Sequence, residues 1–121
     1  MAQSFCDLRV WRDGMNLAIE VYRQTAEFPK HELFGLTQQM RRAAVSVPSN
    51  IAEGKGRWSA KEFRQFLFNA RGSLLELQTQ IMIAQELEYL SEEQGQSTLK
   101  LASQVGRSLS GLINSLSETA A

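Results

Sequence analysis

Apolar residues recur at three- and four-residue steps through four successive stretches of this chain, and no stretch alternates with the period of two that a half-buried strand needs. The first stretch, about Asp7 to Glu27, sets Leu8, Trp11, Met15, Ala18, Tyr22 and Ala26 on one seam. Phe28-Pro29 ends it, because the residue before a proline is pushed out of helical geometry. The second, about Leu36 to Glu53, carries Leu36, Met40, Ala43, Val47 and Ile51, with Gly54 as its expected C-terminal cap. The third opens on a capping box, Ser59-Ala60-Lys61-Glu62, and meets no strong stop before Leu90. It is expected to span about 30 residues, roughly 45 Å. Its seam is Phe63, Leu67, Ala70, Leu74, Leu77, Ile81 and Ala84. A second capping box, Ser91-Glu92-Glu93-Gln94, starts a fourth stretch with Leu99, Ala102, Val105, Leu109, Leu112 and Leu116. Gly95 is expected to weaken its first turns. Four amphipathic helices joined by short turns predict an all-α fold, an antiparallel up-down-up-down four-helix bundle, as one domain over residues 1–121. Gly72, Gly106 and Gly111 each cost roughly 1 kcal/mol against alanine inside a helix, and close approach of neighbouring helices is the expected reason for them.

Size and composition agree with a single core. A chain of 121 residues with 43% apolar content needs neither disulfides nor a structural metal to fold. No apolar run reaches the roughly 18 to 20 residues of a membrane span, and MAQSFCDLRVWRD lacks the pattern of a signal peptide. Cys6, the one cysteine, has no intramolecular partner. Cytoplasmic residence, with no membrane partner, is the expectation.

Thirteen basic and thirteen acidic residues cancel, but they are not evenly spread. Arg41, Arg42, Lys55, Arg57, Lys61, Arg64 and Arg71 face only Glu53 and Glu62 in the same interval. Glu76, Glu86, Glu88, Glu92 and Glu93 then follow with no lysine or arginine among them. A chain polarised in this way suits a nucleic acid, an acidic protein or another copy of itself.

Catalytic chemistry is hard to assemble from this sequence. His31, the only histidine, lies in the connector after Phe28-Pro29 with no specified nucleophile or carboxylate partner. Cys6 has no visible activating neighbour. No cysteine-histidine cluster suits zinc, and no Glu-x-x-His pair suits a di-iron centre. Gly54-Lys55-Gly56-Arg57 lacks both the spacing and the preceding strand of a phosphate loop, and Glu53 and Arg57 stand four apart as a simple ion pair. The chain reads as a non-enzyme without metal or cofactor.

The third helix has more apolar surface than one core buries. Phe68, Leu75, Met82 and Tyr89 follow one another at seven-residue spacing, roughly 110° around the helix from the main seam. A surplus strip of this kind marks a partner surface, and self-association is the expected use. Leu17 and Val21, off the main seam of the first helix, are a possible counterpart. Lys61, Arg64, Phe68, Arg71 and Leu75 share one flank, near Arg41 and Arg42 of the preceding helix and Lys55 and Arg57 of the turn between. Guanidinium groups interleaved with an aromatic suit RNA or DNA. The same flank equally suits a subunit interface, its arginines paired to acids such as Glu86 of a neighbour. A protein-protein adaptor docking an acidic partner is the alternative to nucleic-acid binding.

Pro48 falls inside the second amphipathic pattern, where it removes a backbone donor and crowds the carbonyl four residues back. A kink or short break is expected there, with Ser46, Ser49 and Asn50 bonding the groups left free. The run RRAAVSVPSNIAEGKGR around it, followed by Ser59, Glu62-Phe63, Phe66-Leu67 and Gly72-Ser73-Leu74-Leu75-Glu76-Leu77, resembles the small four-helix-bundle proteins encoded by intervening sequences within bacterial 23S ribosomal RNA genes. The resemblance covers nearly the whole chain. It implies a homo-oligomer, a symmetric ring of five subunits. It also implies kinship with the accessory bundle protein of diversity-generating retroelements, which is associated with RNA and a protein partner. An RNA-binding or RNA-protein scaffolding role is the function this resemblance favours.

Overall fold

The computed structural model describes residues 4–120, with side chains to Leu116, and among them every regular element is helical. Four long helices follow one another: α1 (Arg9–Thr25), α2 (Leu36–Lys55), α3 (Ala60–Glu86) and α4 (Glu92–Ala120). A single 3-10 turn at Phe5–Asp7 leads into α1, and another at Lys30–Glu32 lies between α1 and α2. Close contacts fix the register of each successive pair. Thr25 bonds Arg41 while Gly14 lies against Pro48; Gly54 lies against Phe66 while Ser46 meets Ser73; Gly95 lies against Gln85 while Gly106 lies against Leu74. In every pair one number falls as the other rises, so neighbouring helices run antiparallel. The bundle closes where Thr98 of α4 donates to Gln24 of α1 at 2.8 Å and Gln24 donates to the Gln94 carbonyl at 3.2 Å.

The cores of α2, α3 and α4 lie where periodicity places them. All seven seam residues of α3 are buried, as are Met40, Ala43, Val47 and Ile51 of α2 and Ala102, Val105 and Leu109 of α4. The α1 helix is rotated from expectation. Val10, Gly14, Leu17, Ala18, Val21 and Thr25 face inward, and Leu17 and Val21 are fully buried. Met15 and Tyr22 are 36% and 44% exposed. Leu17 and Val21 are therefore core, not a partner surface. The cause lies at Gly14, where an added Cβ would sit 3.5 Å from Pro48 Cβ and 3.6 Å from Val47 Cγ1. A Cβ there would already be in contact, so no larger side chain fits at that point: Met15 and Tyr22 turn outward, and Trp11 packs on the core only in part.

Pro48 does not break α2, which is helical from Leu36 through Lys55. Asn50 Nδ2 donates to the Ser46 carbonyl at 2.8 Å and to Ser46 Oγ at 2.9 Å, and Ser46 Oγ meets Ser73 Oγ of α3 at 2.9 Å. Ser49 is exposed and takes no part in this chain of bonds. The helix also runs past Gly54 to a cap at Gly56. Gly54 is instead the contact between α2 and α3: a Cβ there would stand 2.6 Å from Phe66 Cβ. Gly106 is tight against Leu74 at 3.3 Å, whereas Gly72 and Gly111 would meet nothing within 4 Å, so close approach within this chain does not explain those two.

The α3 helix stops at Glu86, short of Leu90, through a device the sequence does not advertise. Glu88 takes the left-handed conformation at φ 63°. Its amide donates to the Gln85 carbonyl, and that of Tyr89 to the Ala84 carbonyl. This is the Schellman pattern, with glutamate where glycine or asparagine is usual. Glu88→Gly should therefore raise stability by about 0.5 to 1 kcal/mol, the relief of the side chain's left-handed strain less glycine's extra unfolded freedom. Thermal melts check it; a fall would show that the Glu88 side chain stabilises the turn. Both capping boxes form in part or whole. Ser59 Oγ accepts from the Glu62 amide, although Glu62 bonds the serine hydroxyl and not its amide. Ser91 and Gln94 exchange both bonds at 3.0 Å.

Candidate functional site

The seven basic residues singled out by sequence do not gather on one surface. Arg41 and Arg42 are neighbours on a helix and so point about 100° apart. Arg41 turns to α1, where its Nε donates to Thr25 Oγ1 at 2.9 Å and its guanidinium lies 4.7 Å from the Tyr22 ring centre. Arg42 is exposed beside the α2–α3 groove that holds Ser46, Ser73 and Glu76. Arg57 lies over Phe66 at 4.6 Å and 3.8 Å from Glu53, Lys55 lies 5.9 Å from the Phe63 ring, and Lys61 is exposed on the first turn of α3. Arg64 and Arg71 flank Phe68 at 5.8 Å and 4.9 Å.

Arg71 also lines a groove between α3 and α4 together with Leu75, Gln78, Ser103, Arg107 and Ser110. Arg107 escaped sequence reasoning because only packing brings α4 beside this part of α3. Among the described residues Arg42, Lys61, Arg64, Arg71 and Arg107 form no ion pair.

The seven-residue apolar line survives only in its middle. Leu75 and Met82 are 59% and 52% exposed, but Phe68 is half-buried against the core. Tyr89 lies beyond the end of α3, which removes it from the helical line. Its ring packs on Phe28 with centres 5.4 Å apart, and its hydroxyl donates to Glu32 Oε2 at 2.9 Å. The exposed apolar side chains are instead Leu75, Met82 and Ile83 of α3 and Leu87 at its C-cap, a broad ridge and not a single line. A second apolar surface was hidden by the misplaced α1 seam. Trp11, Met15, Ile19 and Tyr22 of α1 line a groove of about 570 Å³ with Val45 and Pro48 of α2. The signal for it was present: Val10, Gly14, Leu17 and Val21 form a line as regular as the one assigned to the core.

The sole histidine and the tyrosine beside it serve the fold. Glu32 accepts the Leu36 amide at 3.1 Å, capping a helix whose N-cap, Gly35, has no side chain to do so. That bond, then Tyr89, then His31 hold the Glu32 carboxyl below its usual range despite some desolvation, and the bond to Glu32 pushes the Tyr89 hydroxyl up. A lowered carboxyl stabilises above its unfolded pKa, and that contribution is lost as pH falls through the folded value. Among the described residues no cluster of histidine, cysteine, aspartate or glutamate can hold a metal, and no helix is long and apolar enough to cross a membrane.

Fold and surface together define an all-helical bundle whose distinctive features lie on its outside: an apolar groove, an apolar ridge and arginines without carboxylate partners. The chain belongs to the 23S rRNA-intervening sequence protein family, whose model matches residues 6–111. Its fold is similar to a crystal structure of a protein of unknown function from the S23 ribosomal protein family of Bacteroides thetaiotaomicron VPI-5482, at 20% identity and a TM-score of 0.78. That match covers 86% of this chain and 97% of the other. No curated protein matches the chain.

Proposed function

We propose that this protein is a non-catalytic, cytoplasmic scaffold that assembles head to tail with copies of itself and presents its unpaired arginines to nucleic acid. The observation that carries self-association is the presence of two different apolar surfaces, the α1–α2 groove and the α3 ridge, on different parts of one bundle. Neither fits a solitary chain, since contiguous exposed apolar patches mark partner sites. Contact between unlike patches propagates from copy to copy and closes into a ring when the rotation allows. A five-subunit ring, as the family resemblance implies, is the closed form this reading adopts.

Light scattering at micromolar concentration should give a mass several times 13.6 kDa. Met82→Glu on the ridge and Ile19→Glu in the groove should each yield monomers, because each puts a charge into a dehydrated contact. Mixed, the two variants should form a dimer that grows no further, joining the one intact ridge to the one intact groove. A wild-type chain that stays monomeric sinks the reading; variants that fail to pair refute the head-to-tail contact.

The nucleic-acid part rests on a separate observation: among the described residues Arg64, Arg71 and Arg107 form no ion pair, and Arg71 and Arg107 share one α3–α4 groove. Phosphate contacts would make binding broad in sequence and steeply weakened by salt. A partner held with little salt dependence would favour an acidic protein instead.

A further inference from the structure

Among the described residues no other large apolar side chain is as exposed as Trp58, whose surface is fully open in the turn between α2 and α3. Its position in sequence ordinarily prevents this. It immediately precedes the N-cap Ser59, and an apolar residue there packs against the fourth residue of the helix, here Phe63. Phe63 is already covered. Its ring edge reaches the place of a Gly54 Cβ at 3.0 Å, and the Lys55 ammonium stands 5.9 Å from its centre. The indole is left without its local partner, and on the order of 200 Å² of surface stays in water.

Its surroundings are cationic. Lys55 and Arg57 precede it and Lys61 and Arg64 follow. Of the two nearby acids, Glu53 stands 3.8 Å from Arg57 in an exposed and therefore weak pair that a phosphate can displace, and Glu62 accepts from Ser59. The turn lines neither the α1–α2 groove nor the α3 ridge, so self-association through those surfaces leaves it free. Burying such a cluster in an apolar subunit contact would strand its charges. Phe68, the aromatic that sequence reasoning favoured for stacking, is half-buried and flanked by Arg64 and Arg71, which leaves Trp58 as the open ring among the basic groups.

We propose that the α2–α3 turn is a site for single-stranded nucleic acid, in which an unpaired base stacks on Trp58 and the adjoining phosphates are held by Lys55, Arg57 and Lys61. This rests on the nucleic-acid reading above and adds to its α3–α4 arginines a second, base-stacking contact at the turn. An indole face accepts any base, so the site discriminates strandedness more than sequence. A duplex keeps its bases stacked on one another and offers the indole nothing but an end.

Trp11 and Trp58 are the only tryptophans, so in Trp11→Phe excitation beyond the tyrosine band reports Trp58 alone. That protein, sized beside the wild type, is titrated at low salt with a single-stranded RNA of about 12 nucleotides and with its duplex. The single strand should quench Trp58 to saturation, and the duplex should do so more weakly. In the wild-type background Trp58→Ala should weaken binding about tenfold or more, and Trp58→Phe should retain most of it. The log-log salt slope should lie near −2 for wild type and Trp58→Ala alike, since three cations release about 0.7 counterion each and the indole none. Single-strand binding without a change in emission, or wild-type affinity in Trp58→Ala, overturns the site while leaving the nucleic-acid reading intact. Emission that moves to the blue with protein concentration alone gives the indole to a subunit contact and also overturns it. Absence of RNA binding by wild type at low salt removes both.

Discussion

Gly54→Ala is expected to destabilise the protein by about 1 to 2 kcal/mol, with a fall in melting temperature of roughly 5 to 10 °C. The new methyl would stand 2.6 Å from Phe66 Cβ, 3.0 Å from Phe63 Cδ1 and 3.3 Å from the Phe63 carbonyl. None of these is the free end of a flexible side chain, so α2 and α3 must part. Overpacking of this kind costs about 1 to 3 kcal/mol or somewhat more, and alanine's better helix propensity offsets about 1 kcal/mol of it. Gly72→Ala is the matched control, the same change on exposed helix with nothing within 4 Å, and should raise stability by up to about 1 kcal/mol. Denaturant unfolding of both proteins checks the pair. Equal effects of the two substitutions would falsify the packing account of Gly54.

Asn50→Leu should cost about 1 to 3 kcal/mol, because it deletes both bonds to Ser46 and sets an apolar group against a carbonyl oxygen. Asn50→Asp separates hydrogen bonding from shape. Its carboxylate would face the Ser46 carbonyl at the place of a donor now 2.8 Å away. The charged form is disfavoured there, so the folded-state pKa of the new acid is raised. Such a group does its damage as pH rises through the carboxylate range, and part of the loss should return in acid, where the neutral carboxyl donates one bond. Thermal melts at neutral and mildly acidic pH give the answer. An Asn50→Leu protein with an unchanged melting temperature would show the side chain to be solvated.

The parts of the fold that sequence revealed are those decided locally. The α3 seam from Phe63 to Ala84 is a single regular line, and every residue of it is buried. The α1 helix carries two such lines, and the choice between them depends on Gly14 meeting Pro48, a pairing that periodicity along α1 cannot contain. The end of α3 was missed because a glutamate holds the left-handed position, and no glycine or proline marks it. The candidate site was less legible than the fold. Basic residues close in sequence diverge around their helices, Arg107 comes from another helix altogether, and Tyr89 is claimed by Glu32. Trp58 drew no reading from sequence, because its exposure follows from Gly54 lying against Phe63, a contact between two helices.

The clasp of Gln24 with Thr98 and Gln94 has a consequence for how the bundle is assembled. Every other helix pair joins neighbours in the chain, so those three hairpins zip from their own turns with little loop to close. The α1–α4 seam spans 70 residues at Gln24–Gln94 and is held at this end by side-chain amide and hydroxyl bonds. It is expected to be the last edge to meet as the chain collapses and the first to gape when the native state breathes. The molecule is in that sense a strip of three hairpins rolled into a cylinder, with one polar hem where its edges come together.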